Sequence, residues 1–328
     1  MSMLKSFALP VSCIFSSIYF LIFSILLLSL FSSLYSQMIL AKDKYQYELN
    51  IDRASISDNA RQVTNTRAVV DVFLSPVKYG DYPYAEASFV DRHSAIGLMA
   101  VYKYHDYSSD HIISNLYSVK AEFSENKYPV TIGFYIGEQK TSGDINLSQV
   151  NGGVQAISID GDIQVREINT GLYVTKFLYF SAAYFEVLNE TSYNQVLAYR
   201  NDEQGLNGHL HYLHVFSGNR YFKLSLFAGM MKSTEYDEIE NNLQKVNTYQ
   251  ASISGTYYFN KSVSIEAGIM EEKMRNAVKE GGRELYLRIS RYYTPKTNLH
   301  FEIGEYRADH GDDDNDLDVL SFGLTHRF

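Results

Sequence analysis

Apolar and polar residues alternate strictly along the C-terminal part of this chain. In residues 317–328, LDVLSFGLTHRF, the apolar residues Leu320, Phe322 and Leu324 are separated by residues that are mostly small or polar. A period of two is typical of a β-strand with one apolar face and one polar face. Such a strand can lie in a bilayer only if its backbone groups are paired on both sides, as they are in a closed barrel.

Two similar hairpins precede this strand. Residues 249–272 and residues 285–306 each contain a strand that ends in a pair of tyrosines, a very short turn and a second alternating strand. The turns contain Asn260 and Pro295, residue types that suit tight turns. Earlier hairpins repeat the scheme with looser sequence. Short turns are therefore predicted near residues 76, 126, 177, 218, 260 and 295.

The opposite ends of these hairpins are polar, and we expect them to be long loops. The four segments concerned are residues 189–205, 232–247, 271–282 and 307–316. Short periplasmic turns and long extracellular loops are typical of outer-membrane barrels, and the spacing predicts about 14 strands, in a range of about 12–16. The fold class predicted is therefore all-β, a transmembrane antiparallel up-and-down β-barrel.

Two alternatives to this strand count and fold stay open. Asp160 and Gly161 form a hairpin signal inside residues 154–165, which could add two strands or fold as a small ribbon in a loop. A soluble β-sandwich would also show alternation, but its turns would be short at both ends. The unequal ends of the predicted hairpins favour the barrel.

The N-terminal residues are typical of an export signal. Lys5 is followed by an apolar, almost uncharged run that continues to Leu40, the order found in a Sec-type signal peptide. We expect residues 1–41 to be that signal peptide, with cleavage near Ser36 or Ala41, and residues 42–328 to form the barrel. Because the run is long for a signal peptide, an uncleaved helical anchor is the alternative.

Composition agrees with export and excludes several kinds of chemistry. The single cysteine, Cys13, falls inside the predicted leader, so the mature chain would have no disulfide, thiolate nucleophile or cysteine metal ligand. The chain has 28 Tyr, 19 Phe and no Trp, so Tyr must form any interfacial aromatic belt. A net charge of −9 argues against nucleic acid as a partner, because phosphate binding needs clustered Lys and Arg.

The sequence resembles the family of general porins of Gram-negative outer membranes. That family has a Pro-x-Ala-Glu-Ala-x-Phe element after an early strand, and its chains end in an Arg-Phe pair, as this one does. The element is matched at Pro83, Ala85, Glu86, Ala87 and Phe89. The resemblance implies an outer-membrane location, surrounded by lipid and lipopolysaccharide. General porins are often trimers, so a homotrimer is an open alternative that no sequence feature marks.

The last strand resembles the assembly signal of bacterial outer-membrane barrels. The pattern is polar, any, Gly, any, any, aromatic, any, aromatic, with His326 at a position where an aromatic residue is usual. The matching residues are Ser321, Gly323 and Phe328. The resemblance implies that the barrel assembly machinery recognises these three residues, and that Phe328 lies at the periplasmic rim.

If the apolar strand positions face lipid, the alternate positions place charged side chains in the lumen. A Lys or Arg on the lipid face would cost about 2–4 kcal/mol at mid-membrane, which gives the assignment its physical basis. In general porins, charges of both signs create a transverse field across the pore. The alternative is that these residues pair with one another and brace the wall. The predicted pore-lining residues are Lys120, Glu122, Lys223, Glu266, Glu284, Arg288 and Glu302.

Two segments contain candidate catalytic or metal-binding residues. His209, His211, Ser217 and Asn219 lie close in sequence, but the His-x-Ser-Asn-Gly signature of the barrel phospholipases is absent, so no enzyme is predicted. His209 and His211 share one face of a strand and could ligate a metal, although a pore-facing or interfacial pair is the more ordinary interpretation. The acidic residues 309–318 lack EF-hand spacing, which favours a solvated loop over a Ca²⁺ site.

The sequence therefore predicts a passive porin for ions and small hydrophilic solutes, without a cofactor or metal. A substrate-specific channel, for example for sugars, is one alternative, with Tyr258 and Tyr286 as candidate stacking residues. A structural or adhesive barrel whose lumen is packed with side chains is the other alternative.

Overall fold

The structure is a computed structural model in which the chain forms a closed antiparallel barrel. It describes residues 44–57, 61–107, 110–125, 128–150, 153–193, 196–237, 242–275, 281–309 and 316–328. Residues Lys44–Arg327 form one compact unit. The predicted signal peptide, residues 1–41, lies outside the described residues. In the described part of the chain, no helix reaches the length and apolarity that crossing a membrane requires.

Fourteen strands make up the barrel, which confirms the predicted fold class and strand number. In chain order they are β1 (Lys44–Ser57), β2 (Arg61–Lys78), β3 (Ala95–Tyr107), β4 (Asp110–Glu125), β5 (Tyr128–Val150), β6 (Gly153–Thr175), β7 (Leu178–Tyr193), β8 (Val196–Val215), β9 (Tyr221–Asp237), β10 (Asn242–Tyr258), β11 (Val263–Arg275), β12 (Gly281–Thr294), β13 (Thr297–Asp309) and β14 (Asp316–Arg327).

The barrel closes between its first and last strands. β1 pairs with β14 from Glu48 opposite Arg327 to Ser57 opposite Asp318, as the C-terminal pattern predicts. Every other strand pairs with its neighbours in sequence. On β14 the apolar residues of the alternating pattern lie on the outer face: Phe322 is 59% exposed and Leu320 is 51% exposed, the arrangement that lipid contact requires.

Two of the predicted long polar loops, residues 189–205 and 232–247, are mostly paired strand where the structure describes them, while residues 276–280 and 310–315 of the other two lie outside the described residues. β7 continues to Tyr193 and β8 begins at Val196, so residues 189–205 are almost entirely sheet. β9 and β10 likewise extend to Asp237 and from Asn242. Backbone hydrogen bonds do not depend on side-chain polarity, and a strand that extends beyond the lipid meets water on both faces. Polar sequence therefore marks where the lipid ends and not where the strand ends.

Asp160 and Gly161 do not form a hairpin turn. Residues Gly153–Thr175 form one continuous strand, in which Asp160 pairs with Ser142 and Gly161 with Thr141 on β5. Long neighbouring strands on both sides supply backbone partners throughout this region. A turn here would leave those partners unpaired.

The first predicted turn, near residue 76, was wrong in a way that matters for function. β2 continues through Ser75 and Pro76 to Lys78, and β3 starts only at Ala95. Residues 79–94 between them, called the inner segment below, contain a 3₁₀ turn, Tyr84–Glu86, and one helical turn, α1 (Ala87–Val90). This segment folds into the end of the barrel where the other short turns lie.

Candidate functional site in the barrel lumen

The inner segment packs against opposite walls of the lumen. On one side Ala87 joins a buried cluster with Tyr45, Phe73 and Val77 from β1 and β2. On the other side Val90 joins a second cluster. The members of the second cluster are Val90, Leu213, Tyr221 and Tyr258, with Tyr82, Phe89 and Phe177 packed against them. The segment therefore crosses the barrel instead of following its rim.

Hydrogen bonds hold the backbone of the inner segment at several points around the wall. Lys261 Nζ donates to the Gly80 carbonyl at 3.2 Å and lies 3.1 Å from Asp81 Oδ1, while the Tyr84 N–H donates to the Lys261 carbonyl at 3.1 Å. Across the lumen, Tyr173 donates its hydroxyl to the Phe89 carbonyl at 3.2 Å. These contacts involve strands on both sides of the barrel, which fixes the segment as a constriction.

A buried ion pair secures the centre of the inner segment. Glu86 is 6% exposed, and its Oε1 lies 2.9 Å from Lys223 Nζ on β9 and accepts a hydrogen bond from the Tyr258 hydroxyl on β10. Burial raises the pKa of Glu86, but the Lys223 charge and the Tyr258 hydroxyl together outweigh burial and leave the pKa below its ordinary value. Glu86 is therefore ionised at neutral pH, and a buried charge of this kind is tolerated because it is paired.

Arg327 connects the inner segment to the β1–β14 pair that closes the barrel, called the seam below. Its Nε donates to Glu48 Oε2 at 2.6 Å and its Nη1 donates to the Tyr84 carbonyl at 2.5 Å. Its guanidinium carbon also lies 4.6 Å from the ring centroid of Tyr45 and 5.2 Å from that of Tyr292. The first strand, the last strand and the inner segment thus meet at one side chain that is 2% exposed.

The three predicted cations of the lumen all have carboxylate partners. Lys120 Nζ lies 2.9 Å from Asp71 Oδ1, and Lys223 is paired with Glu86. The Arg288 guanidinium lies 2.6 Å from Glu302 and 4.0 Å from Glu266. These pairs agree with the wall-bracing alternative for the seven residues they join. The role of the predicted residues in transport stays a prediction.

Glu122 and Glu284 differ from the other predicted lumen residues. In the described part of the chain, no Lys, Arg or His lies within ion-pair distance of either carboxylate. Glu122 lines a cavity of about 420 Å³ inside the barrel. Glu284 lies farther along the wall, on β12 between Met270 and Tyr306 of the neighbouring strands.

Two cavities inside the barrel have opposite charge balance. One, called the basic chamber, has a volume of about 340 Å³. Its cations are Arg67, Lys120, Lys223, Lys261, Arg288 and Arg327, and its carboxylates are Glu48, Asp52, Asp71 and Glu266. The other, called the acidic chamber, is the cavity of about 420 Å³. Its carboxylates are Glu48, Asp71, Glu122 and Glu167, against the single cation Lys120.

The charged side chains of the lumen are therefore distributed unevenly around its wall. The basic chamber adjoins β1, β2 and β9 to β14, and the acidic chamber adjoins β2 to β8. Asp71, Glu48 and Lys120 border both. Each cation of the basic chamber has a carboxylate partner, whereas Glu122 and Glu167 of the acidic chamber form no ion pair within the described residues.

Sequence reasoning missed several of these groups. Asp71, Glu48 and Arg327 lie on lumen-facing strand positions but were not proposed as pore-lining residues. Glu86 was noticed only as part of a family element. A signal was present, because sixteen residues separate Lys78 from Ala95, far more than a short turn needs.

Alternation on β8 predicts a lipid-facing position for an apolar residue such as Leu213, but Leu213 and His211 both face the lumen. Leu213 is 1% exposed and packs with Val90 of the inner segment, and His211 lines the acidic chamber. A lumen-facing position can be apolar where something apolar fills the lumen. The alternation rule assumes water there, so it fails beside the inner segment.

The two histidines considered as metal ligands, His209 and His211, are packed against neighbouring side chains. The rings of His209 and His211 are nearly parallel with centroids 6.2 Å apart, His209 packs on Phe227 at 4.8 Å, and His211 Nδ1 lies 3.1 Å from Ser225 Oγ. Ser217 and Asn219 lie in the turn after β8, as expected. Within the described ranges, no group of three or more His, Cys, Asp or Glu could hold a metal ion. Residues 310–315 of the acidic run lie outside them.

Two residues of the predicted assembly signal, Ser321 and Gly323, lie on the lumen face of β14. A Cβ at Gly323 would collide with His300 and Asp52, which pair across it at 3.1 Å. Glycine at this position therefore leaves room for the His300–Asp52 pair, which a larger residue would displace. Phe328 follows the last residue of β14, and its role in assembly stays a prediction.

Comparison with known proteins finds relatives by structure and not by sequence. No protein-family model matches the chain, and a comparison with curated protein sequences finds no match. Among solved structures, the Acinetobacter baumannii outer membrane protein Omp33 is 14% identical with a TM-score of 0.51, covering 88% of this chain and 100% of that chain. A ΔS2S3 mutant of TodX, a monoaromatic hydrocarbon channel, is 11% identical with a TM-score of 0.51, covering 88% and 91%.

A Pseudomonas aeruginosa FadL homologue is similar at 11% identity with a TM-score of 0.49, covering 88% of this chain and 90% of that one. At these identities the likeness concerns the fold. The chain has the fold of outer-membrane β-barrels, and the match does not single out the general porins among them.

Proposed function

We propose that this chain is an outer-membrane channel for the passive diffusion of ions and small hydrophilic solutes, with the inner segment as its constriction. The observation that carries the proposal is a lumen lined by charged side chains, with paired cations in the basic chamber and, in the acidic chamber, two carboxylates that form no ion pair within the described residues. Selectivity in such a channel comes from the charges and the width of its narrowest region. In this channel the inner segment determines the width of the narrowest region. Glu86, Lys223 and their neighbours supply the charges there.

The fold and the sequence support an outer-membrane location. A 14-stranded closed barrel with an apolar outer face satisfies every backbone group within a bilayer. The export signal predicted in residues 1–41 agrees with that location. Lipid and lipopolysaccharide would then surround the barrel, the assembly machinery would recognise its last strand, and a homotrimer stays a prediction.

The character of the lumen favours hydrophilic solutes. TodX is a channel for monoaromatic hydrocarbons, whereas the lumen here is lined by charged and amide side chains. The sugar-channel alternative relied on Tyr258 and Tyr286. Tyr258 is 3% exposed and bonded to Glu86, and Tyr286 donates its hydroxyl to Glu266 at 2.9 Å. Tyr258 is too buried to stack on a passing sugar, which weakens that alternative.

Reconstitution of the folded protein in planar bilayers tests the proposal. Discrete, ohmic conductance steps in KCl are expected, together with swelling of proteoliposomes in small sugars. The unfolded protein in the same detergent is the control for bilayer leakage. Folded barrels that insert without producing steps would support the structural or adhesive alternative instead.

A further inference from the structure

The acidic chamber contains two carboxylates that the protein leaves uncompensated. Of its four acids, Glu48 is paired with Arg327 at 2.6 Å and Asp71 with Lys120 at 2.9 Å. Glu122 and Glu167 then remain, and Asn169 Nδ2 donates to Glu167 Oε1 at 3.4 Å. No ion pair in the described part of the chain involves either of them. The chamber therefore has a net charge of about −2 once its internal pairs are formed.

The other titratable groups around the chamber do not neutralise this charge. His93 of the inner segment lies outside the spanning strands, and burial lowers the pKa of its imidazole despite the nearby Asp91, so it is uncharged at neutral pH. Arg92 does not line the chamber. Its guanidinium lies 4.6 Å from the ring centroid of Tyr173, which does line it, and its carbonyl accepts a hydrogen bond from Ser124 Oγ at 2.7 Å. His211 is engaged by Ser225.

Glu122 and Glu167 lie on the same surface of the wall, two strands apart. On the lumen face, Glu122 of β4 is opposite Gly133 of β5, while Glu167 of β6 is opposite Tyr135 of β5. Because Gly133 has no side chain, the amide of Asn169 occupies the space above it, and both carboxylates line the same chamber. Both acids can therefore approach one solute from adjacent sides.

An aromatic floor lies beside these carboxylates. Phe89 of the inner segment has its ring centroid 5.6 Å from that of Tyr173 and 6.0 Å from that of Tyr179, and those two tyrosines are 4.5 Å apart. Thr131 fixes the Tyr179 hydroxyl at 2.8 Å. All three rings line the chamber. Phe89 is half-buried, whereas Tyr173 is 5% exposed and Tyr179 is 9% exposed. Phe89 therefore presents the apolar surface next to the negative charge, and the two tyrosines support it from below.

We propose that the acidic chamber is a binding site for small organic cations, in which the ammonium group lies against Glu122 and Glu167 and the apolar part lies against the ring of Phe89. This site would make the channel selective for organic amines over anions of the same size, and it therefore rests on the proposed channel function. A volume of about 420 Å³ is within the usual range for small-ligand sites, and the combination of an apolar wall with a few charged groups is typical of them.

Isothermal titration of the folded full-length barrel with three ligands of similar size tests the site. Benzylammonium is expected to bind saturably, benzyl alcohol much more weakly and benzoate not at all. Glu122→Gln and Glu167→Gln should each reduce benzylammonium affinity by about tenfold, because each removes a charge-assisted contact. The matched control is Glu203→Gln, which changes a lumen carboxylate outside the chamber, bonded to Asn201 at 2.6 Å, and should leave affinity unchanged.

The second measurement separates this inference from the channel proposal. In planar bilayers, benzylammonium should reduce the KCl current of the native barrel but not that of the Glu122→Gln/Glu167→Gln double variant. Benzoate binding as tightly as benzylammonium, or unchanged affinity in the folded double variant, would overturn the site. Conductance steps without amine binding would leave the channel proposal intact, and amine binding without conductance would contradict the channel alone.

Discussion

The guanidinium of Arg327, in the last strand, donates to the carboxylate of Glu48, in the first strand, over 2.6 Å. The two residues are the first pair of the β1–β14 register, so the contact forms only when the barrel has closed. Because the same guanidinium binds the Tyr84 carbonyl, docking of the inner segment and closure of the seam depend on one side chain.

Replacing Arg327 should therefore destabilise the closed barrel strongly. In Arg327→Ala, Glu48 is left without its cation in a site that is largely buried, and breaking a buried pair in this way costs about 3–5 kcal/mol. The free energy of unfolding in urea, measured on the refolded barrel in detergent, is the appropriate readout. Arg307→Ala is the control, because Arg307 is 61% exposed and its contact with Glu305 should contribute at most about 1 kcal/mol. Equal losses in the two variants would contradict the role given to Arg327.

Deletion of Phe328 should impair assembly far more than conduction. The residue follows the end of β14 and completes the pattern that resembles the assembly signal. We expect reduced amounts of folded protein in the outer membrane but native single-channel conductance from the barrels that do form. Phe328→Tyr keeps an aromatic terminus and should assemble normally. Native outer-membrane levels of the deletion variant would count against this role.

Loss of the Glu86 charge should release the inner segment and widen the channel. Glu86→Gln leaves Lys223 buried without its partner, which disfavours the docked segment by about 3–5 kcal/mol. Single-channel conductance should rise, or fluctuate between two levels, in this variant. Asp81→Asn is a matched change in the same segment whose side chain is fully exposed, and it should conduct like the native protein. A Glu86→Gln channel with unaltered, steady conductance would mean that the segment is not held by this ion pair.

The sequence was a good guide where one physical environment extends along a whole strand. Lipid selects apolar residues at every second position, so outward residues such as Phe301 and Ile132 could be assigned correctly. The barrel, its fourteen strands and the β1–β14 seam follow from that periodicity together with turn spacing. Charged lumen positions such as Arg288 follow from the same rule.

The inner segment could not be predicted because its position depends on contacts between residues far apart in sequence. Glu86 and Tyr258, for example, are 172 residues apart. Periodicity describes a strand relative to lipid and water, and it contains no information about a segment that replaces water in the lumen. Leu213 was misassigned for this reason, and the acidic chamber, which Phe89 helps to line, could not be foreseen either.

Acid should loosen the inner segment. The pKa of Glu86 lies below its ordinary value of 4.5, because Lys223 and the Tyr258 hydroxyl outweigh the effect of burial. A group with a depressed native pKa stabilises the native state above its unfolded pKa and loses that contribution as the pH falls through the native value. Conductance should thus be constant from pH 7 to about pH 5. It should rise only below the pH range in which carboxyl groups ordinarily titrate. In Glu86→Gln the side chain at this position does not titrate, so the conductance of the variant should lack the acid-dependent rise. A rise of the same size in that variant would assign the transition to another group.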